Sequence, residues 1–214
     1  MIPHKINIIS THETSEVSYC TLYQSDGSLL VGTGDGMMIY REDYSKPQQT
    51  LSGHAITSTD KNMGEEGGYV FISHQKDLRT VKLTTDFICQ SDCFEFEYKG
   101  TRGTFLATSA KVIAMIALKC IKLYSKGSLL LCTKYFDYQP LQIRFDEHGD
   151  LLVTGNNELR KYDVSEGSRD MTMIWSREEL ANAYGLCIMD NGIILVISQG
   201  DDGLVYVISE GGEI

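Results

Sequence analysis

The sequence predicts a single all-β domain made of about five four-stranded antiparallel units. Short apolar segments alternate along the chain with turns rich in Gly, Asp and Asn, a pattern typical of strands joined by tight turns. The same order of strands and turns returns at intervals of roughly 40 residues, as in repeat architectures. Helix signals are confined to Ser176 to Asn182, where Ser176 predicts a cap and Glu179 follows three residues later.

The clearest unit occupies residues 143–164. A polar turn at 146–150 leads into Leu151 to Thr154, which predicts a buried strand. Gly155-Asn156-Asn157 predicts the next turn, because these residues tolerate positive φ. A third strand with alternating character is predicted at 159–164.

The same order of elements recurs clearly at residues 20–40 and 186–208, and more weakly at 68–83 and 111–124. One position marks the third strand of every unit, and its five occupants are Tyr40, Val81, Tyr124, Tyr162 and Ile208. Fourth strands are predicted in the intervals that follow, at Gln48 to Leu51, Phe87 to Gln90, Leu129 to Thr133 and Met171 to Trp175.

This spacing predicts one domain over residues 1–214, with units at 17–53, 54–92, 93–136, 137–180 and 181–214. The last unit has little room for a fourth strand after Ile208. Residues 4–9, which include Lys5 to Ile9, offer one, and pairing them into the last unit would cover two open sheet edges. The units are therefore predicted to form either a closed ring of five or part of a ring of six or seven.

A period near 40 residues with four short strands is the signature of a β-propeller blade. Residues 28–54 resemble a WD40 repeat, because Tyr40 stands at that family's tryptophan and Gly53-His54 match its Gly-His pair. Tyr162-Asp163 match its Trp-Asp position, and the surrounding unit is similar to NHL-type or other six-bladed repeats. The resemblance implies the β-propeller superfamily, whose members mostly present loops that bind proteins, peptides or glycans.

Composition narrows the class of partner. The net charge of −10, from 29 acidic and 19 basic residues, argues against nucleic acid, whose phosphates this field repels. No apolar run reaches the roughly 18 residues that a membrane helix needs, and no signal peptide opens the chain. We therefore expect a cytoplasmic protein. Of its six cysteines, Cys20, Cys120, Cys132 and Cys187 lie among apolar residues and are expected to be buried free thiols.

Motifs for catalysis or cofactor binding are missing from the sequence. Cys89 and Cys93 form a close pair, but a structural zinc site needs a second pair, which is lacking. The five histidines form no His-x-x-x-His pair, and neither a Gly-x-Ser-x-Gly elbow nor a phosphate-binding loop occurs. We expect no catalytic residues, no metal and no cofactor, and we favour a protein that is not an enzyme.

The alternative to this expectation rests on acidic turn residues. Similarity to six-bladed lactone hydrolases implies that such carboxylates bind calcium in the central channel, which would make the chain a divalent-metal-dependent, lactonase-like hydrolase. Asp is also simply a good turn residue, and we favour that interpretation. A third alternative is a structural fragment of a larger scaffold protein. The residues concerned are Asp26, Asp35, Asp146, Asp150, Asp190, Asp201 and Asp202.

The main prediction is a non-catalytic scaffold that binds a protein or peptide through its loops, since loops on a rigid framework commonly carry function. Candidate loops are Asn62 to Gly67, Tyr135 to Pro140 and Glu178 to Tyr184. Aromatic side chains contribute much of the energy of protein interfaces, so the predicted binding residues are Tyr135, Tyr138 and Tyr184. The sequence leaves the oligomeric state open.

Overall fold

The structure is a computed structural model. It describes residues 18–23, 29–33, 36–40, 48–52, 55–59, 69–74, 77–83, 89–96, 106–109, 111–125, 129–164, 170–189, 191–199 and 203–213. Side chains are described at residues 31, 38–40, 107 and 109, and at the described residues from 111 onward. The predicted strand Lys5 to Ile9 and the predicted loop Asn62 to Gly67 lie outside the described residues.

The described chain forms five antiparallel sheets, four with four strands and one with three. In each sheet the strands lie side by side in chain order, as short hairpin connections dictate. The sheets are, in order, β1 (Ser18–Tyr23), β2 (Leu29–Thr33), β3 (Gly36–Tyr40), β4 (Gln48–Ser52); β5 (Ala55–Thr59), β6 (Tyr69–His74), β7 (Asp77–Leu83), β8 (Cys89–Phe96); β9 (Leu106–Thr108), β10 (Val112–Ala117), β11 (Cys120–Ser125), β12 (Leu130–Tyr135); β13 (Gln142–Phe145), β14 (Leu151–Gly155), β15 (Glu158–Asp163), β16 (Thr172–Arg177); and β17 (Ala183–Ile188), β18 (Ile194–Ser198), β19 (Val205–Ile208).

The first strands of consecutive sheets lie next to one another: β1 beside β5, β5 beside β9, β9 beside β13, and β13 beside β17. Each sheet therefore extends outward from a common inner row of first strands. Within the described strands, β17 and β1 do not form a comparable pair of neighbours, so the structure does not show a closed ring. Among the described residues, no helix has the length and apolar character needed to cross a bilayer.

The position predicted to mark every third strand is confirmed. Its five occupants lie in β3, β7, β11, β15 and β19, and each pairs with a residue in the first two positions of the second strand. The pairs are Tyr40 with Leu29, Val81 with Val70, Tyr124 with Ile113, Tyr162 with Leu151, and Ile208 with Ile194.

Among the residues whose side chains are described, two apolar clusters lie between neighbouring sheets. One joins the third and fourth sheets and includes Ile121, Leu123, Ile143 and Tyr162. The second joins the fourth and fifth sheets, and its members include Leu152, Leu159, Leu186, Val196 and Ile208. Each fully buried aliphatic side chain contributes about 1.5–3 kcal/mol relative to an exposed one, so packing between sheets is what holds them together.

The predicted helical turn at Ser176 to Asn182 is wrong. Ser176 and Arg177 belong to β16, and Glu179 (φ 67°) and Asn182 (φ 50°) adopt left-handed backbone conformations that a helix cannot contain. The reason lies in Leu180, which is buried in the cluster between the fourth and fifth sheets. Burying that side chain turns the chain inward before a helix can form.

The fourth strand of the second sheet also differs from its prediction. It was expected at Phe87 to Gln90, but β8 runs from Cys89 to Phe96 and crosses the boundary predicted between residues 92 and 93. Its partner β7 is seven residues long and pairs Leu78 with Phe96 and Thr80 with Phe94. The long partner strand therefore provides backbone groups for β8 well beyond Gln90.

Candidate functional site

One end of the sheets collects the connections that could form a binding surface. Strands alternate in direction within an antiparallel sheet, so the turns between second and third strands lie at the same end as the connections to the next sheet. At this end the structure describes the hairpin turns Leu118–Lys119 and Asn156–Asn157 and the connections 136–141 and 178–182. These four segments form the loop face.

Hydrogen bonds join the third-sheet and fourth-sheet parts of the loop face. The Phe136 N–H donates to the Lys119 carbonyl at 2.8 Å, and Lys119 Nζ donates to the Asp137 carbonyl at 3.2 Å. At the other end of the same connection, the Leu141 N–H donates to the Thr154 carbonyl at 2.8 Å. The connection 136–141 is therefore anchored at both ends.

The fourth-sheet and fifth-sheet parts are joined in the same way. The Leu180 N–H donates to the Asn157 carbonyl at 2.8 Å, and the Asn182 N–H donates to Asn157 Oδ1 at 2.7 Å. The Gln199 N–H in turn donates to the Asn182 carbonyl at 2.9 Å. The loop face is thus one continuous surface across three sheets.

Side chains alternate between surface and interior from the end of β12 into this connection, as they would along a strand. The result is a loop whose inward side chains anchor it while the outward ones face solvent. The exposed residues are Tyr135, Asp137 and Gln139, and the buried ones are Phe136, Tyr138 and Pro140.

Tyr138 is the anchor of this loop. Its side chain is 8% exposed, and its ring lies edge-on to Phe136 at 5.4 Å between centroids. The guanidinium carbon of Arg160 lies 5.0 Å from the Tyr138 ring centroid, a cation–π contact. Burial, and then the nearby charge of Glu158, raises the pKa of the Tyr138 hydroxyl, so this side chain stays neutral.

An ion pair between buried Glu158 and half-buried Arg160 holds Arg160 against that ring. Arg160 Nε lies 2.8 Å from Glu158 Oε2, and Arg160 Nη2 lies 2.7 Å from Glu158 Oε1. This two-point geometry fixes the plane of the guanidinium group. Glu158 is buried while the guanidinium group keeps some contact with solvent, so the pair orients Arg160 beside the 136–141 connection.

The three predicted binding residues have different surroundings. Tyr135 is 78% exposed and lies at the end of β12. Tyr138 belongs to the apolar cluster between the third and fourth sheets, so its side chain supports the loop from below. Tyr184 is half-buried on β17, where its carbonyl accepts a hydrogen bond from Thr154 Oγ1 at 3.1 Å.

Leu118 is the residue of the loop face that the sequence analysis missed. It occupies the first central position of the hairpin turn between Ala117 and Cys120, with φ of 55°, and is 59% exposed. The left-handed conformation costs a leucine about 1–2 kcal/mol. The corresponding turn of the fourth sheet uses Asn156 (φ 49°) and Asn157 (φ 64°), which tolerate it better. The sequence does contain a signal for this residue: the two-residue turn between the predicted strands carries Leu-Lys, where Gly, Asn or Asp is usual.

The carboxylates of the acidic turn at the opposite end of the fourth sheet are bonded within the chain. Lys161 Nζ lies 2.7 Å from Asp146 Oδ2 and 3.2 Å from Asp150 Oδ2, and Asp146 Oδ1 accepts the N–H groups of His148 and Asp150. Of the seven aspartates considered for calcium, the structure describes these two. Because the Lys161 ammonium group lies within bonding distance of both carboxylates and two N–H groups bond Asp146 Oδ1, these oxygens are already engaged in bonds within the chain rather than free to bind calcium.

One group at that opposite end has suitable ligand atoms for a metal ion. Within the described residues, the ligand atoms of Glu147, His148 and Glu210 lie within 4.8 Å of one another, and all three residues are exposed. His148 Nε2 lies 2.8 Å from Glu210 Oε1. The contact ties the β13–β14 turn to the segment after β19.

Comparison with known proteins gives the fold. No family model matches the sequence, and no curated protein matches it. Among solved structures, a protein of unknown function from Bacteroides caccae is similar with a TM-score of 0.70 and 11% identity, covering 94% of this chain and 81% of that one. The calcium-binding protein regucalcin from Agrobacterium tumefaciens is similar with a TM-score of 0.64 and 11% identity, covering 95% and 81%.

A third similar structure is that of BBS1N in complex with ARL6DN. Its TM-score is 0.66 at 13% identity, with coverage of 92% of this chain and 66% of that one. At these identities the likeness concerns the fold alone. Five antiparallel sheets arranged around their first strands, together with these neighbours, show that the chain has a β-propeller-like fold.

Proposed function

We propose that this protein is a non-catalytic scaffold that binds a protein or peptide through the loop face. The observation that carries the proposal is the exposure of Leu118 and Tyr135 on neighbouring segments of that face. Tyr135 pairs with Cys120 across the β11–β12 ladder, two residues from Leu118. The left-handed backbone of Leu118 (φ 55°) is costly for a leucine, and strain of this kind supports a functional role for the turn.

The rigidity of the loop face supports the same proposal. Tyr138, Arg160 and Glu158 hold the 136–141 connection from below. A surface already held in one conformation loses little conformational entropy on binding. Such a surface suits recognition of a preformed partner better than enclosure of a small substrate.

The class of partner is proposed from charge and from precedent for the fold. The chain carries a net charge of −10, which favours a protein or peptide partner over nucleic acid. BBS1N, a similar structure, was solved in complex with ARL6DN. The proposed scaffold is a ring of five WD40-like or NHL-like blades, with Tyr135 and Tyr184 as contact residues and Tyr138 as their support.

Site-specific photocrosslinking in cells tests this proposal. A benzophenone amino acid replaces Tyr135 in one variant and Leu129 in the other. Leu129 is 67% exposed but lies in the β11–β12 turn at the opposite end, so it controls for exposure. The proposal predicts a discrete protein adduct from position 135 that disappears when Leu118→Asn is added, and none from position 129. Equal adducts from both positions, or none from position 135, would contradict it.

A further inference from the structure

Three side chains with two kinds of donor atom meet at the end of the sheets opposite the loop face. Glu147 and His148 belong to the β13–β14 turn of the fourth sheet, whereas Glu210 follows β19 in the fifth sheet. His148 Nε2 lies 2.8 Å from Glu210 Oε1 and 3.8 Å from Glu147 Oε1. The set therefore offers one imidazole nitrogen and two carboxylate groups from neighbouring sheets.

These distances are close to those that a single metal ion imposes on its ligands. Zinc binds imidazole nitrogen and carboxylate oxygen at about 2.0–2.2 Å, which places neighbouring donor atoms about 3–3.5 Å apart. The two distances from His148 Nε2 lie on either side of that range. Small rotations of these exposed side chains would bring all three onto one ion, with a fourth position left for water.

Charge favours a divalent cation at this place. The carboxylates of Glu147 and Glu210 repel each other, and a divalent cation would balance both while the imidazole ligand stays neutral. The net charge of −10 adds a general attraction for cations. The nearby carboxylates of Asp146 and Asp150 differ, because the Lys161 ammonium group lies against them.

The backbone of both segments is held by hydrogen bonds of its own. The His148 N–H donates to Asp146 Oδ1 at 3.0 Å. After β19, the Ser209 N–H donates to the Glu213 carbonyl at 2.7 Å, and the Gly212 N–H donates to the Ser209 carbonyl at 2.9 Å. Ligands carried on backbone that is already ordered lose little conformational entropy when they bind an ion.

Gly192 leaves the space in which the Glu210 side chain lies. A β-carbon on residue 192 would stand 3.4 Å from Glu210 Oε2 and 3.7 Å from Glu210 Cβ. The Glu210 side chain therefore rests against the β17–β18 turn, with Oε2 beside this glycine and Oε1 beside His148. Contact with two different turns places one carboxylate oxygen next to the imidazole.

We propose that Glu147, His148 and Glu210 bind a divalent transition-metal ion of the zinc class. Imidazole nitrogen is a ligand for zinc, copper, nickel and iron, whereas calcium and magnesium take oxygen ligands. The ion would join the β13–β14 turn to the segment after β19 and so brace the fourth sheet against the fifth. His148 and Glu210 are 62 residues apart in sequence, so a search for closely spaced motifs could not reveal them.

Zinc titration of the metal-free, full-length protein tests the site. Isothermal titration calorimetry with zinc chloride compares wild type, His148→Gln, Glu210→Gln and the control Glu213→Gln, whose side chain is exposed on the same segment as Glu210. We expect the affinity for one zinc ion to fall at least about tenfold in His148→Gln and Glu210→Gln and to be unchanged in Glu213→Gln. Identical isotherms for all four proteins, an equal fall in all three variants, or calcium binding as tight as zinc binding at these residues would overturn the proposal.

Two further measurements separate this site from the cysteines and from effects on folding. With cobalt in place of zinc, the absorption difference between wild type and Glu210→Gln should show d–d bands without the intense charge-transfer band of a cobalt thiolate. In wild type alone, zinc should slow amide exchange in residues 146–150 and 209–213 at least about threefold. A thiolate band in the difference spectrum, or unchanged exchange in both segments, would overturn the proposal.

Discussion

The ring of Tyr138 lies so close to Gly155 that a β-carbon on residue 155 would stand 2.8 Å from Tyr138 Cε2. It would also stand 2.9 Å from the Gln139 carbonyl oxygen. The absence of a side chain at position 155 therefore lets the 136–141 connection rest directly on the β14–β15 hairpin. This close contact with Gly155 lets Tyr138 and Gln139 take up their positions in the loop.

Replacing Gly155 by alanine should displace the loop. The new methyl group meets both ring and backbone atoms, so we expect a loss of about 1–3 kcal/mol in the free energy of unfolding. Urea unfolding measures it. Gly211→Ala is the control, because the nearest atom to its added β-carbon is 4.0 Å away. Equal stability of the two variants would contradict the close contact between Gly155 and the 136–141 connection.

Tyr138 should tolerate loss of its hydroxyl but not of its ring. The hydroxyl oxygen is buried and makes no well-aligned hydrogen bond among the described residues, and its polar neighbour is Glu158. Tyr138→Phe therefore loses only that contact and should leave Tm unchanged or raised. Tyr138→Ala leaves a cavity beside Gly155 and should lower the free energy of unfolding by about 3–5 kcal/mol. Thermal unfolding measures both. A large loss of stability in Tyr138→Phe would show that the hydroxyl is bonded.

Leu118 should show opposite effects on stability and on binding. Asparagine accepts the left-handed conformation more readily than leucine, so Leu118→Asn should raise the free energy of unfolding by up to about 1 kcal/mol. The same change removes the exposed apolar side chain. Chemical denaturation measures the stability. A less stable Leu118→Asn variant would mean that leucine fits this turn for structural reasons.

Lys161 should stabilise the acidic turn at residues 146–150, between β13 and β14. Lys161→Met would leave Asp146 buried and uncompensated, which should cost about 3–5 kcal/mol. Lys111→Met, at an exposed lysine, is the control and should cost little. Differential scanning calorimetry with and without added calcium measures both proteins. In wild type, calcium should not stabilise through this turn, and a large shift that Asp146→Asn abolishes would contradict the assignment.

The free energy of unfolding should fall as the pH rises into the alkaline range. Burial raises the pKa values of Cys120, Tyr124 and Cys132, as it does for Tyr138. Burial lowers the pKa of Lys161, but its bonds to Asp146 and Asp150 outweigh this and raise it overall.

A pKa that is higher in the folded state contributes stability below the unfolded-state pKa, and this contribution is lost as pH rises through the folded-state value. The ordinary values are about 8.5 for Cys, 10 for Tyr and 10.4 for Lys. The urea midpoint should therefore decline progressively above about pH 8.5. A midpoint that is constant from pH 8 to pH 11 would contradict this.

The repeat could be predicted because each unit meets the same local requirement. Tyr124 and Tyr162 are both buried and pair with equivalent positions of the second strand, so the sequence preserves their spacing. The Ser176 helix signal failed because it is local, whereas the burial of Leu180 depends on a neighbouring sheet. Likewise, the sequence shows that residues 135–138 are rich in aromatic residues. It does not show that Tyr138 faces inward, because the space for its ring is left by Gly155, which is distant in sequence.

The most direct test of the binding proposal is the affinity of the partner captured at position 135. Isothermal titration calorimetry with the purified partner compares wild type, Tyr135→Ser, Leu118→Asn and Leu129→Ser. The two loop-face variants should bind at least about tenfold more weakly, the loss expected when a central apolar contact is removed, while Leu129→Ser binds as wild type does. Unchanged affinity in Tyr135→Ser and Leu118→Asn would contradict the proposal that the loop face is the binding surface.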